Sequence, residues 1–64
     1  MTAIEIIGYG KRTRYTVKAV TETGTNPTNG KWYRTEEAAR RAAAEMGLTV
    51  SVVGELWQIL HATH

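Results

Sequence analysis

The chain has 64 residues, with eight Lys and Arg, six Glu and no Asp, and a formal net charge of +2. It has no cysteine, which excludes disulfide bonds, thiolate metal sites and a cysteine nucleophile. The length suits one domain spanning residues 1–64, and no stretch is long and apolar enough for a signal sequence or a membrane span. We therefore expect a single soluble domain in the cytoplasm.

The first predicted element is a β-hairpin over residues 4–21. Its two strands are rich in Ile, Val, Tyr and Thr, which favour strands. Between them, Gly10-Lys11 fits a two-residue type I′ or II′ turn. That turn predicts a register with four opposing pairs, which are Ile4 with Val17, Ile6 with Tyr15, Ile7 with Arg14, and Tyr9 with Arg12.

Alternation along the predicted hairpin divides its side chains between two faces. The face expected to pack on the helix carries Ile4, Ile6, Tyr15, Val17 and Ala19. The other face carries Glu5, Ile7, Tyr9, Arg12, Arg14, Thr16 and Lys18. This mixture is typical of sheets that stack bases and contact phosphates, and of protein-docking patches. The ordinary solvated face of a basic strand stays open as an equal alternative.

The next segment predicts a loop followed by a short strand. Residues 22–30, ETGTNPTNG, are rich in turn formers, and Gly24 and Pro27 argue against regular structure there. The loop leads into a strand rather than a helix, which excludes a phosphate-binding loop. Residues 31–34 predict a strand antiparallel to the second, so Trp32 and Tyr33 point to opposite faces, one into the core and one outward.

The clearest prediction is a helix over residues 36–46. Thr35 is a suitable N-cap, and Glu36 and Glu37 place negative charge where the helix dipole is positive. Gly47 suits the left-handed position that ends a helix. The expected core stripe is Ala38, Ala39, Ala42, Ala43 and Met46. The expected surface ion pairs are Glu36 with Arg40, Glu37 with Arg41, and Arg41 with Glu45.

The last part of the chain predicts a second hairpin. Residues 49–53 are mostly β-branched, and Gly54-Glu55 suits a type II′ turn. The favoured return strand covers residues 56–62 and places Trp57 in the core. A helical alternative stays open, because Leu56, Ile59, Leu60 and Thr63 also have helical spacing.

Catalytic and metal chemistry find little support in the composition. His61 and His64 are the two histidines, and neither Cys nor Asp is present to complete a metal site or orient a base. A domain of this size also has little room for a substrate pocket. We therefore expect no enzyme, no cofactor and no metal site.

The element order predicted is β-β-β-α-β-β, an α+β fold with an antiparallel sheet curved around one Ala-rich helix. Within it, residues 31–47, KWYRTEEAARRAAAEMG, resemble the strand and helix of the small sheet domains at the N-terminus of phage integrases. Those domains grip DNA with the sheet. The size, the lack of catalytic residues and the five-strand, one-helix plan resemble small phage-encoded anti-CRISPR proteins, which block a CRISPR surveillance complex by docking on it.

The anti-CRISPR resemblance implies a non-enzymatic, phage- or mobile-element-encoded interaction protein that inhibits a host protein or ribonucleoprotein complex in the host cytoplasm. The alternative is a small DNA- or RNA-binding domain using the same face. Either form could be a monomer or a homodimer. The candidate binding residues are Tyr9, Lys11, Arg12, Arg14, Lys18, Lys31, Trp32, Tyr33 and Arg34.

Overall fold

A computed structural model describes residues 1–62, so the positions expected for Thr63 and His64 lie outside the described residues. The fold is α+β, as predicted, with a four-stranded sheet and two helices. The strands are β1 (Thr2–Ile7), β2 (Arg14–Thr21), β3 (Gly24–Pro27) and β4 (Val50–Gly54), and the helices are α1 (Glu36–Glu45) and α2 (Leu56–His61). The sheet order is β3-β2-β1-β4.

The sheet is mixed, which corrects the expectation of a purely antiparallel one. β1 pairs antiparallel with β2, and β2 pairs antiparallel with β3, but β4 runs parallel to β1. The β4 strand follows α1, and a strand that returns through a helical crossover can run parallel to the strand it joins. The β1–β4 register shifts by one residue between Thr2 and Ala3, which pair with Val50 and Val52.

The β1–β2 register is the predicted one, with Ile4 opposite Val17 and Ile7 opposite Arg14. The predicted two-residue turn is wrong, because the strand pairing ends at Ile7 and Arg14 and residues 8–13 form a loop. Within it, a 3₁₀ turn spans Gly10–Arg12. The chain leaves the ladder at Gly8, whose φ of +81° is a left-handed value.

The segment predicted as a loop contains strand β3, so Gly24 and Pro27 do not prevent regular structure. Thr21 pairs with Gly24 and Lys18 pairs with Pro27 across a two-residue connection. A proline is tolerated there because β3 is an edge strand, which does not need every backbone N–H for pairing. The strand predicted at residues 31–34 is reduced to one antiparallel bridge, between Tyr33 and Tyr15.

Helix α1 lies within one residue of its predicted bounds and has the predicted caps. The Thr35 hydroxyl accepts from the Ala38 N–H at 3.1 Å. At the other end, the Leu48 N–H donates to the Ala43 carbonyl at 2.9 Å, and Gly47 takes the left-handed φ of +75°. These contacts form the Schellman ending of a helix. The predicted ion pairs Glu36–Arg40 and Glu37–Arg41 both form, and Arg41 bonds Glu37 rather than Glu45.

The favoured return strand over residues 56–62 is wrong, because Leu56–His61 forms helix α2. The Glu55 N–H donates to the Gln58 side-chain oxygen at 2.7 Å, which satisfies an N-terminal donor of the helix. A Cβ on the preceding residue, Gly54, would lie 2.5 Å from that same oxygen, so a larger residue there would have to displace the Gln58 side chain. Because this segment is a helix rather than the predicted strand, Trp57 is 59 % exposed and does not lie in the core.

The core has two parts, one on each face of the sheet. On one face, Ile4 and Val17 pack with Ala39 and Ala43 of α1, joined by Tyr15 and Tyr33 at the margin. On the other face, Ala3 and Val20 pack with Ile59 of α2. The sheet therefore lies between two helices, and α2 is too short to cover its whole face.

Candidate docking surface

The predicted basic face is the sheet face that α2 shares. Lys18 pairs with Ala3 in the ladder, and Thr16 pairs with Glu5. Opposing residues of an antiparallel pair point to the same side, so these side chains share the face of Ala3 and α2. Helix α2 packs mainly against β4 and β1 and reaches β2 at Val20, so the part of this face around Thr16 is not covered by it.

The side chains of Glu5, Thr16 and Lys18 in this uncovered part make contacts within the protein. The Lys18 ammonium lies 3.9 Å from the Glu5 carboxylate, and both side chains are mostly buried. The buried Thr16 hydroxyl donates to the Lys31 carbonyl at 2.9 Å. Lys18 and Thr16 therefore hold the surface together, and Lys18 is not an available cation of the predicted site.

The structure resolves which of the two adjacent aromatics faces outward. Tyr33 packs at the margin of the α1 core, and its hydroxyl accepts from the Asn29 side-chain amide at 3.0 Å. Trp32 precedes it and is 55 % exposed. Trp32 is therefore the outward anchor, and Tyr33 is a core residue rather than a binding residue.

The loop between β1 and β2 presents the remaining predicted residues. Tyr9 is 89 % exposed, and Lys11 and Arg12 are exposed beside it. Arg14 has a structural role in this loop, because its guanidinium donates to the carbonyls of Thr13 at 2.8 Å and Lys11 at 3.3 Å. The loop is thereby fastened to the start of β2.

The loop and the segment around Trp32 meet at one end of the sheet. The bridge between Tyr33 and Tyr15 has two short hydrogen bonds, of 2.7 and 2.8 Å, and it places residues 31–34 beside the start of β2. This loop and this segment carry four cations, Lys11, Arg12, Lys31 and Arg34. Within residues 1–62, none of the four takes part in an ion pair. We call the exposed residues of this loop and this segment the basic edge, which consists of Tyr9, Lys11, Arg12, Lys31, Trp32 and Arg34. Lys31 lies on the α1 side of the segment, where it lines an open depression with Tyr33, Arg41 and Glu45.

A second exposed surface was not predicted from the sequence. Leu56, Trp57 and Leu60 of α2 are all substantially exposed, and we call these three residues the α2 patch. The helical spacing of residues 56–60 indicated this surface, but the favoured prediction for the segment was a strand. An open groove of about 480 Å³ separates α2 from the end of β1 and is lined by Glu5, Ile7, Tyr9, Glu55, Leu56 and Trp57.

Trp57 is held in one orientation although it faces solvent. Its indole N–H donates to the Glu55 carboxylate at 2.9 Å. Its ring also meets the His61 ring edge to face, with the ring centres 6.2 Å apart. An aromatic side chain fixed in this way loses little entropy when a partner covers it.

Neither a metal site, nor a membrane-spanning helix, nor similarity to a known protein indicates a function for the described chain. Among residues 1–62, no group of three or more His or Glu side chains is placed to hold a metal ion, and neither helix is long and apolar enough to cross a bilayer. Comparison with models of protein families, with curated proteins and with solved structures finds no match for this chain.

Proposed function

We propose that this chain is a non-enzymatic interaction protein that docks through its basic edge onto an acidic surface of a larger complex and inhibits that complex by occlusion. One observation carries the proposal. Two exposed aromatic side chains, Tyr9 and Trp32, lie on segments that also carry four exposed cations without an ion-pair partner in the described chain. Tyr, Trp and Arg are the residues most enriched at the energetic centres of protein interfaces.

The rigidity of the basic edge supports this proposal. The loop with Tyr9 is fastened by Arg14, and the segment with Trp32 is fastened by Thr16 and by the Tyr15–Tyr33 bridge. A surface ordered before binding loses less conformational entropy on association. The arginines of α1 contribute less, since Arg40 and Arg41 are paired with their own helix.

The class of complex comes from the resemblance to anti-CRISPR proteins. On that basis, the chain is phage- or mobile-element-encoded, and its target is a CRISPR surveillance complex in the host cytoplasm. Its net charge of +2 does not suit a mimic of DNA, so the target surface is an acidic protein surface. Occlusion requires stoichiometric binding and no turnover.

The test measures target-DNA binding by purified surveillance complexes of several types while this protein is added. We expect inhibition of one type that saturates near one protein per binding site. Trp32→Ala weakens inhibition by about 30-fold, the size typical of an interface hot spot. Trp57→Ala, the matched exposed tryptophan, leaves inhibition within about 3-fold. Equal loss in both variants, or no inhibition of any complex, contradicts the proposal.

A second candidate function is DNA or RNA binding, favoured by the same four unpaired cations. Each phosphate contact contributes about −0.9 to the slope of log affinity against log salt on duplex DNA, so four contacts give a slope of roughly −3 to −4. Fluorescence anisotropy of labelled duplex DNA and single-stranded RNA, at low and physiological salt, measures this slope. Tight, salt-steep binding without inhibition of any complex favours the second candidate.

A further inference from the structure

The sheet has two edges of different character. At one edge, β3 is four residues long and contains Pro27, a residue that blocks further strand pairing. At the other edge, β4 has no strand partner beyond β1 among residues 1–62. Residues 50–53 of β4, VSVV, contain neither a charge nor a proline. The β4 edge therefore lacks the usual protection against pairing with another strand.

The α2 patch lies next to that same unprotected edge. Helix α2 follows β4 directly and packs on it, with Ile59 as its buried residue. Three large apolar side chains of a six-residue helix, Leu56, Trp57 and Leu60, are between 37 and 59 % exposed. An exposed apolar cluster beside an open strand edge is typical of an interaction surface.

The charge distribution favours a second copy of the chain as the occupant. Residues 42–62 contain no Lys or Arg, and their two glutamates are Glu45 and Glu55. The Glu55 carboxylate already accepts from Trp57. Two identical patches of this kind meet across a two-fold axis without bringing cations together, whereas nucleic acid finds no cation there to contact.

We infer that this chain forms a two-fold symmetric homodimer across β4 and α2. The two β4 strands pair antiparallel, so the two sheets join, and the two α2 patches lie against each other on the same face. The part of the basic edge around Trp32 stays exposed in each subunit, because it lies beside β2 and away from the β4 edge. Tyr9 lies nearer to α2, in the groove that Leu56 and Trp57 also line. The inference stands independently of the proposed inhibitory function.

The available area predicts a weak dimer. A specific interface buries about 800 Å² on each partner. A buried Trp side chain contributes about 150–250 Å², so Trp57 at 59 % exposed adds roughly 90–150 Å². Leu56 and Leu60 together bring the patch to less than half of the required area, so pairing of β4 has to supply the rest. We expect a dissociation constant of about 1–100 μM.

The test is sedimentation equilibrium of the whole chain over a concentration series up to about 1 mM, well above the expected dissociation constant. The wild type and Trp32→Ala dimerise equally, and Trp57→Ala weakens the dimer by about 30-fold. Circular dichroism of each variant confirms that it is folded. A wild type that stays monomeric, or a dimer weakened by Trp32→Ala and not by Trp57→Ala, overturns the inference.

Amide hydrogen exchange tests the strand pairing separately. In the dimer, exchange of the outward backbone N–H groups of residues 50–53 slows as the protein concentration rises. Unchanged exchange of these amides in a sample that is dimeric by sedimentation contradicts the pairing of β4. The two variants also separate this inference from the proposed function. Trp32→Ala is expected to lose inhibition and keep the dimer, whereas Trp57→Ala is expected to weaken the dimer and keep inhibition.

Discussion

The residue that deserves most weight in this small fold is Thr16, the one polar residue buried among the described side chains. Alternation in the sequence placed it on the outer face of the hairpin, which was interpreted either as a binding platform or as a solvated face. Its hydroxyl instead donates to the Lys31 carbonyl and fastens the segment that carries Trp32 to β2. A threonine can thus lie on the predicted face and fix the position of an exposed segment through its backbone.

Replacing Thr16 by Val removes that hydrogen bond while keeping the side-chain shape. We expect Thr16→Val to lower the free energy of unfolding by about 1 kcal/mol, the usual net contribution of one hydrogen bond. Urea denaturation measures it. The control is Thr49→Val, at an exposed threonine, which changes stability by less than about 0.5 kcal/mol. Equal effects of the two variants would mean that the Thr16 bond does not anchor the segment.

At the scale of the elements, the β1–β2 loop depends on Gly8. Its φ is +81°, and an added Cβ would lie 2.6 Å from the Arg12 carbonyl oxygen, an atom of the backbone. Gly10 also has a positive φ, of +60°, but no atom lies within 4 Å of its Cβ position. Substitution of each glycine by alanine therefore distinguishes the cost of backbone strain from the cost of a steric clash within one loop.

We expect Gly8→Ala to destabilise the protein by at least about 2 kcal/mol, because strain and conflict add. Gly10→Ala carries the strain alone and costs about 1 kcal/mol. Thermal unfolding of both variants gives the comparison. A Gly10→Ala variant as unstable as Gly8→Ala would show that the contact with the Arg12 carbonyl is unimportant.

The elements that local signals specify were predictable, and those that depend on long-range packing were not. Thr35 and Gly47 mark the two ends of α1. The hairpin register is also the predicted one, although the two-residue turn from which it was derived does not form. The short apolar run after Gly54 has no such local signal, since strand and helix both fit it. Its helical state depends on Ile59 reaching Ala3 and Val20, a contact between distant parts of the chain.

That contact makes Ile59 the residue on which α2 depends. Ile59→Ala leaves a cavity in the smaller core and is expected to cost about 2–4 kcal/mol. Because the total stability of so small a domain is only a few kcal/mol, we expect helical content to fall in the far-ultraviolet circular dichroism spectrum. The control is Trp57→Ala in dilute solution, which keeps the spectrum. An Ile59→Ala variant as stable as the wild type would contradict the packing of α2.

For the candidate site, most of the predicted residues are exposed at one end of the sheet, and the others are partly buried. Tyr9, Lys11, Arg12, Lys31, Trp32 and Arg34 are exposed there, as the pattern predicted. Lys18 and Tyr33 are not, because Glu5 pairs with the first and the α1 core holds the second. Pairing between Lys18 and Glu5 depends on the diagonal geometry of two strands, which residue types alone do not reveal.

At the scale of the whole molecule, the two exposed surfaces differ in their place on the sheet. Trp32 lies on the segment beside β2, the α2 patch lies over β4 and β1, and Tyr9 lines the groove next to α2. Each surface contains one of the two tryptophans of the chain. A partner centred on Trp32 therefore leaves the β4 edge open, and a dimer joined at β4 presents two copies of Trp32.

The most direct test of this division is ¹⁹F NMR of the chain labelled with 5-fluorotryptophan, with the two signals assigned by Trp32→Phe and Trp57→Phe. We expect the Trp57 signal alone to shift as the protein is concentrated. The Trp32 signal shifts or broadens when the inhibited complex is added and stays unchanged with bare DNA or RNA. A Trp32 signal that does not respond to the complex would contradict docking through the basic edge.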